Sequence, residues 1–310
     1  MTDRPAPDLA DDLSLALAIA SDADLVSLER FRAQDLIVET KPDATPVTDA
    51  DRAVERLIRD RIEASRPGDR VLGEEFGGEA SREGRLWIVD PIDGTKNFLR
   101  GVPIWGTMIA LAIDGEPVVG VVSAPALHRR WWGARGLGAW AEETGRGTGA
   151  SPARLAVSGV AELADASVSH GSLQMFDGAG RLDELIALSR RVWRTRSYGD
   201  VWQYMLLAEG SLDAVIEFDL KPHDLAAHLP IIREAGGRVT SLDDEPAPWS
   251  PSVVATNGRI HDAVAAMFRR DTGANGSSDT STPRSTSGTA DLAGCPADDA
   301  ADPARPGTTA

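Results

Sequence analysis

The sequence predicts a mixed α/β (α+β) protein in two parts. Three observations carry that reading: two amphipathic helical stretches near the start, a series of short apolar runs broken by turn residues through the middle, and alternating strand-like and helix-like segments after residue 151. With 310 residues and 42% hydrophobic content, the chain can bury a sizeable core, consistent with two domains or subdomains.

Taken in order, residues 12–28 set Leu13, Leu17, Ala20, Asp24 and Leu25 at helical spacing and read as an amphipathic helix. Lys41-Pro42-Asp43-Ala44-Thr45-Pro46 reads as a loop because of its two prolines. Thr48 caps a helix over residues 50–63, with Val54, Leu57, Ile58 and Ile62 on one face, and Arg66-Pro67-Gly68-Asp69 ends it. A short strand at 71–73 leads into Glu74-Glu75, and the next covers 87–89. Strand-like runs follow at 107–113, 117–124 and 130–134, with Asp114-Gly115 as a hairpin signal between the first two, and Gly136 to Trp140 continues the meander. The Gly/Thr/Pro-rich stretch 144–152 reads as a hinge, dividing an N-terminal domain (1–150) from a C-terminal one (151–270). Beyond it, strands at 166–170 and 214–218 alternate with helices at 182–190 and 201–209. A helix over 224–234 ends at Gly236-Gly237. Strands at 238–241 and 252–256 and a last helix ending at 264–268 complete the pattern. From Asp271 the composition turns to Gly, Ser, Thr, Pro and Asp, and residues 271–310 are expected to be a disordered tail.

Composition excludes several functions. A formal charge of -16 argues against nucleic acid or an anionic membrane as the main partner. It does not exclude an anionic substrate, because a bound metal can reverse the local sign. The lone cysteine, Cys295, permits no disulfide and no Cys-based metal site within one chain, which fits a reducing compartment. The start of the chain lacks a basic, apolar signal pattern, and no apolar run reaches about 18 residues. A cytoplasmic location is expected. Arginine greatly outnumbers lysine, and Lys41, Lys96 and Lys221 are the only lysines. Each lies near a segment assigned below to the active site, although a solvated surface position is the ordinary fate of a lysine.

The most informative segment is Trp87-Ile88-Val89-Asp90-Pro91-Ile92-Asp93-Gly94-Thr95-Lys96-Asn97-Phe98. An apolar strand ends in two carboxylates, with a carbonyl between them and a glycine turn behind. Hard divalent cations take oxygen ligands of this kind, and a glycine-led helix start cradles phosphate. Two further acidic clusters are Glu74-Glu75, after a strand and a glycine, and Asp224, at a helix start. Singly, each has an ordinary explanation as a solvated turn or an N-cap. Together they point to metal and phosphate chemistry.

Gly73-Glu74-Glu75-Phe76, then the Asp90-to-Thr95 block, then Pro222-His223-Asp224-Leu225-Ala226-Ala227 through Glu234-Ala235-Gly236-Gly237 resemble, in that order, the inositol monophosphatase family of Mg2+-dependent, lithium-sensitive phosphatases. The resemblance runs from about residue 12 to 268. Within the family it is nearest to the actinobacterial histidinol-phosphatase branch, on Thr40-Lys41-Pro42-Asp43, Ser123-Ala124-Pro125-Ala126-Leu127, Arg130-Trp131-Trp132 and Arg196-Ser197-Tyr198-Gly199-Asp200. The resemblance implies a layered α-β-α-β-α sandwich and a homodimer. It implies that Glu74, Asp90, Asp93, Asp224 and the Ile92 carbonyl hold two or three Mg2+ ions, with Mn2+ as a possible substitute. One water, acidified by metal, would then attack phosphorus in line with the leaving alkoxide. Asp51 matches the family residue that pairs with the Thr95 hydroxyl to orient and deprotonate that water; Asp49 is the neighbouring candidate, and spacing alone does not separate them. Gly94 and Thr95 amides would bind the phosphate.

For the organic part of the substrate, Glu217 matches a family position that hydrogen-bonds the polar group beside the phosphate, and Asp200 is a second amine partner, or else the cap of the helix at 201. Lys41 joins them as a substrate-binding candidate. One departure is His223, where the family usually has tryptophan; packing is favoured over ligation because Mg2+ prefers oxygen to nitrogen. Trp131 and Trp132 are expected in a core or dimer interface, with the edge of the pocket as the alternative. The leading expectation is a phosphomonoesterase acting on the small molecule L-histidinol phosphate. The same chemistry on inositol phosphate, fructose bisphosphate or a 3'-phosphonucleotide is the nearest alternative, and a non-catalytic binding module the different class.

Overall fold

The computed structural model describes residues 8–42, 45–144 and 151–269. The hinge expected at 144–152 has residues 145–150 outside the described residues, and the expected disordered tail with Cys295 also lies outside them. In chain order the elements are α1 (Leu9–Arg30), β1 (Val38–Thr40), β2 (Pro46–Thr48), α2 (Asp49–Ser65), β3 (Arg70–Gly73), β4 (Arg85–Asp93), α3 (Thr95–Leu99), β5 (Gly106–Ile113), β6 (Glu116–Ala124), β7 (Arg129–Ala134), β8 (Gly138–Glu143) and β9 (Ala153–Arg154). There follow β10 (Ser167–His170), α4 (Leu173–Gly178), α5 (Leu182–Ser189), β11 (Arg194–Arg196), α6 (Asp200–Ala208), β12 (Ala214–Phe218), α7 (Pro222–Leu225), α8 (His228–Glu234), β13 (Arg238–Thr240), β14 (Ser252–Thr256) and α9 (His261–Phe268). Among the described residues no helix is long and apolar enough to cross a membrane.

Two sheets organise these elements. β3 to β9 form a seven-stranded sheet in sequence order, parallel only between β3 and β4. The five-stranded sheet runs β11-β10-β12-β14-β13, parallel on one side of β12 and antiparallel on the other. Alternation along the strands sets the layers, because successive side chains leave opposite faces of a sheet. On β4, Trp87 and Val89 face the helices α1 and α2, joining Ile19, Ala23, Val54 and Ile58. Leu86 and Ile88 face the other way and pack with Tyr204 and Met205 of α6, Ile231 and Ile232 of α8, and Val215 and Val253 of the second sheet. The outer face of that second sheet, through Val168, Ile216 and Val254, is closed by Phe176 of α4, Leu185 of α5 and Phe268 of α9. The order is therefore α1/α2, sheet, α6/α8, sheet, α4/α5/α9: an α-β-α-β-α sandwich. Strands covered on both faces read as unbroken apolar runs, as β5 and β6 do.

Helix α8 lies close enough to the first sheet that two glycines are sterically required. A Cβ on Gly120 would stand 2.0 Å from the Ala227 carbonyl oxygen, and one on Gly133 would stand 2.8 Å from the Ile231 Cα. Any side chain there would lift the helix off the sheet, at a cost of about 1–3 kcal/mol or more.

Several expectations change. The helix expected over 224–234 is two pieces, α7 and α8. Pro230 is the physical reason: it has no N–H for the Ala226 carbonyl, and it sits among the first residues of α8, where that N–H is dispensable. The loop expected at 41–46 is flanked by the β1–β2 hairpin, with residues 43–44 outside the described residues. β4 runs four residues beyond Val89 and carries Asp90 to Asp93 within the strand, where its pairing with β5 shifts register. The sequence reading has no counterpart for β1, β2, β9, β11 or α4.

Candidate active site

The Asp90-to-Thr95 segment is fixed by what lies beneath it. Ile92 is fully buried with Ala50, Phe98 and Trp105, and the Phe98 and Trp105 rings meet edge-on at 4.9 Å. Gly94 has φ of +83°, a left-handed conformation that any side chain would strain, and it caps the single turn of α3. Asp90 is 2% exposed, and its Oδ1 has no hydrogen-bond partner. Asp93 accepts the Val201 N–H at the start of α6.

Glu74 and Glu75 leave the end of β3 under the control of Glu55, a fully buried carboxylate on α2. Glu55 accepts from the backbone N–H of Glu75 at 2.7 Å and of Phe76 at 3.2 Å. Arg59 donates to it at 2.8 Å. The glycine before this turn is obligatory, since a Cβ on Gly73 would sit 1.9 Å from the Glu55 Oε1. Sequence reasoning missed Glu55: it lies one residue from Val54 on an amphipathic helix, and nothing in the pattern marks it as buried. Lys41 spans the two acids, 2.8 Å to Glu74 and 2.6 Å to Glu75. Burial works against the Lys41 charge, but the bonds to Glu74 and Glu75 outweigh it and raise its pKa.

Asp51 and Asp49 part company here. Thr48 caps α2, and Asp51, fully buried, closes a capping box by accepting from the Thr48 N–H at 2.8 Å and its hydroxyl at 2.5 Å. Its other oxygen accepts from the Thr95 hydroxyl at 3.3 Å, and that hydroxyl also reaches the Ile92 carbonyl at 3.1 Å. Asp49 turns away, to the Ile37 N–H at 3.2 Å and Arg30 at 2.9 Å. Burial pushes the Asp51 carboxyl up to about 6, with Thr48 pulling it back and Glu74 adding to the rise.

Asp200 comes from the start of α6, Glu217 from β12 of the second sheet and Asp224 from α7. Asp224 accepts from the Lys221 N–H at 2.7 Å, and the largely buried His223 lies 3.6 Å away on the same turn. Asp200 does not cap its helix. Gly199 does, without a side-chain bond, and Asp200 instead accepts from Asn97 at 2.6 Å. Asn97, unassigned by the sequence reading, also donates to the Ile104 carbonyl at 2.8 Å. Glu217, 7% exposed, accepts from the Tyr204 hydroxyl at 2.5 Å. Trp131 and Trp132 are buried in opposite core layers.

These carboxylates feel one another. Burial raises Asp90 well above the usual range, and Glu74, Asp93 and Asp224 raise it further. Burial likewise raises Asp93, with Asp200, Asp224 and Glu217 adding to it. Burial raises Asp224 too, against the pull of His223. So much converging negative charge in a low dielectric calls for a compensating cation. The donors are all oxygen, and one is buried without a partner; this set fits a hard divalent ion that completes its shell with water. Among the described residues no three His, Cys, Asp or Glu side chains stand as a finished metal cage. Instead Glu74 is taken up by Lys41, and Asp93 and Asp224 by backbone N–H groups. A cavity of about 500 Å³ opens beside Glu74 and Glu75, with Lys41, Arg52 and Lys221 in its wall. All three lysines thus border the acidic cluster, Lys96 through its attraction to Asp200.

An α-β-α-β-α sandwich with a carboxylate cluster at one strand end, backed by a Thr–Asp pair, defines a class of proteins. The chain belongs to the inositol monophosphatase family, whose model matches residues 8–272. Among curated relatives it is 57% identical over 254 residues to the histidinol-phosphatase of Mycobacterium tuberculosis, covering 82% of this chain and 96% of the relative. It is 53% identical over 268 residues to that of Streptomyces coelicolor, covering 85% and 99%. Among solved structures, an inositol monophosphatase of Thermotoga maritima superposes with a TM-score of 0.72 at 32% identity, covering 83% of this chain and 96% of that one.

Proposed function

We propose that this protein is a Mg2+-dependent phosphomonoesterase that hydrolyses L-histidinol phosphate to L-histidinol and phosphate, a step of histidine biosynthesis. The observation that supports the chemistry most is the Thr95 hydroxyl set between Asp51 and the Ile92 carbonyl, beside the buried Asp90 and Asp93. The substrate is supported by the two histidinol-phosphatases above half identity.

Glu74, Asp90, Asp93, Asp224 and the Ile92 carbonyl would hold the ions, two or three Mg2+ with Mn2+ as a substitute. Bound ions supply the positive charge that offsets the phosphate ester and acidifies a water. Thr95 Oγ1 would accept a proton from a water while passing its own to Asp51 Oδ1, from which it lies 3.3 Å away. A carboxyl raised by burial suits that task, since a general base works best with a pKa near the working pH. The Gly94 and Thr95 N–H groups would bind the phosphate oxygens, and Lys41 would add an ammonium at the mouth. Glu217 and Asp200 receive the amine. His223 packs against the metal side rather than ligating. The division at residue 150, a homodimer and a cytoplasmic location belong to the same reading. Complementation tests it: the gene restores growth without histidine to a strain lacking its histidinol-phosphatase. No growth despite soluble expression contradicts the assignment.

A further inference from the structure

The residues that hold Glu217 make up a buried assembly that the chemistry above does not use. Glu217 lies on β12, the central strand of its sheet, paired with Val253 of β14 and one residue past the last pair with β10, His170 with Ile216. One carboxylate oxygen accepts from the hydroxyl of Tyr204, which is 1% exposed on α6. The Tyr204 ring is itself held, stacked on His228 with centroids 4.4 Å apart and planes 27° from parallel. Beside the other oxygen is Gly171, just past β10, where an added Cβ would stand 3.0 Å from Glu217 Oε1. The same helix that carries Tyr204 begins with Asp200 and gives its Val201 N–H to Asp93.

We propose that Tyr204 is a positioning residue for recognition of the substrate's amine. Its hydroxyl engages one oxygen of Glu217, and the other, kept clear by Gly171, receives the ammonium group. This rests on the histidinol phosphate reading and adds the element that sets its specificity. The chemistry is coherent. A buried carboxylate facing Asp93, Asp200 and Asp224 tends to take up a proton, and burial does push Glu217 up to about 7. The Tyr204 hydrogen bond opposes that rise, and the neighbouring Gln203 amide adds to the opposition. A tyrosine hydroxyl, raised well above its ordinary pKa by burial and by Glu217, stays a donor. An ammonium arriving at the oxygen beside Gly171 then meets an ionised, oriented partner and makes a charge-assisted bond. A substrate without an amine gains nothing from that arrangement.

The test compares L-histidinol phosphate with p-nitrophenyl phosphate, which has no amine, in Mg2+ buffer. Tyr204→Phe is expected to raise KM for L-histidinol phosphate about tenfold with kcat within about twofold, and to leave p-nitrophenyl phosphate kinetics unchanged. Gly171→Ala, which crowds Glu217 Oε1 without touching Tyr204, is expected to give the same split, and it decides the matter if Tyr204→Phe melts early. Equal losses on both substrates, or no change on either, overturn the proposal. Wild-type enzyme that turns over p-nitrophenyl phosphate but not L-histidinol phosphate refutes the substrate reading itself, and the proposal with it.

Discussion

The two sheets supply the site with different kinds of residue. From the first sheet, one continuous segment, Asp90 to Thr95, delivers two carboxylates, a carbonyl, the glycine cap and the hydroxyl, on a strand end packed over Ile92, Phe98 and Trp105. The second sheet supplies only Glu217, on β12, while Asp200 and Asp224 come from the separate helices α6 and α7. The core of the metal and phosphate side is set by local covalent geometry along that first segment, to which Asp51 of α2, Glu74 after β3 and Asp224 of α7 are added by packing. The side facing the organic part of the substrate depends on how separate elements pack. Reaction and specificity can therefore change independently, and substitutions on the two sides should have different signatures.

The sharpest break between the two sides is Asp93→Asn. It is expected to lower kcat by roughly a thousandfold or more on every substrate, because the metal loses a charged ligand. The metal-free protein should melt no earlier than wild type, since Asn removes one of several charges that raise one another's pKa. Phosphate release and thermal melting check both; retained activity would break the division. Next comes Asp51→Asn, with kcat down about a hundredfold or more while Mg2+ still raises the melting temperature. Asp49→Asn, bonded to Ile37 and Arg30, should leave kcat within about twofold, as surface changes usually do. The reverse ranking would exchange their roles.

The same contrast explains what the sequence reveals. Asp90, Asp93 and Thr95 are legible because their function needs those residues at that spacing along one strand and turn. The Thr48 cap and α2 are legible for the same reason, local propensity agreeing with the final structure. Asp49 and Asp51 cannot be told apart without knowing which way the first turn of α2 faces. Glu55, Asn97 and Tyr204 are silent because the role of each depends on a partner 13 to 103 residues away. The break between α7 and α8 is missed because Pro230 is tolerated in a first turn as well as being a breaker, and only packing on the sheet shows which applies.

On the specificity side, Glu217→Gln is expected to reduce kcat/KM for L-histidinol phosphate about ten- to a hundredfold, with amine-free substrates little affected. A uniform loss would make Glu217 part of the chemistry. The smallest effect concerns His228, which packs under Tyr204. Burial presses its pKa from 6.5 down to about 3. Its contribution is thus full above about pH 6.5 and is lost as pH falls through that window, by about 1.4 kcal/mol at pH 5.5. Melting curves of wild type and His228→Phe between pH 7 and 5.5 should show the shallower acid loss in the variant. Parallel curves would mean that His228 does not titrate in this way.

The most direct measurement is phosphate release by the purified protein from L-histidinol phosphate and from inositol 1-phosphate, with Mg2+ and after chelation. The account predicts kcat/KM at least about a hundredfold higher for L-histidinol phosphate and no turnover of either without metal. Preference for inositol 1-phosphate, or turnover that survives chelation, would contradict it.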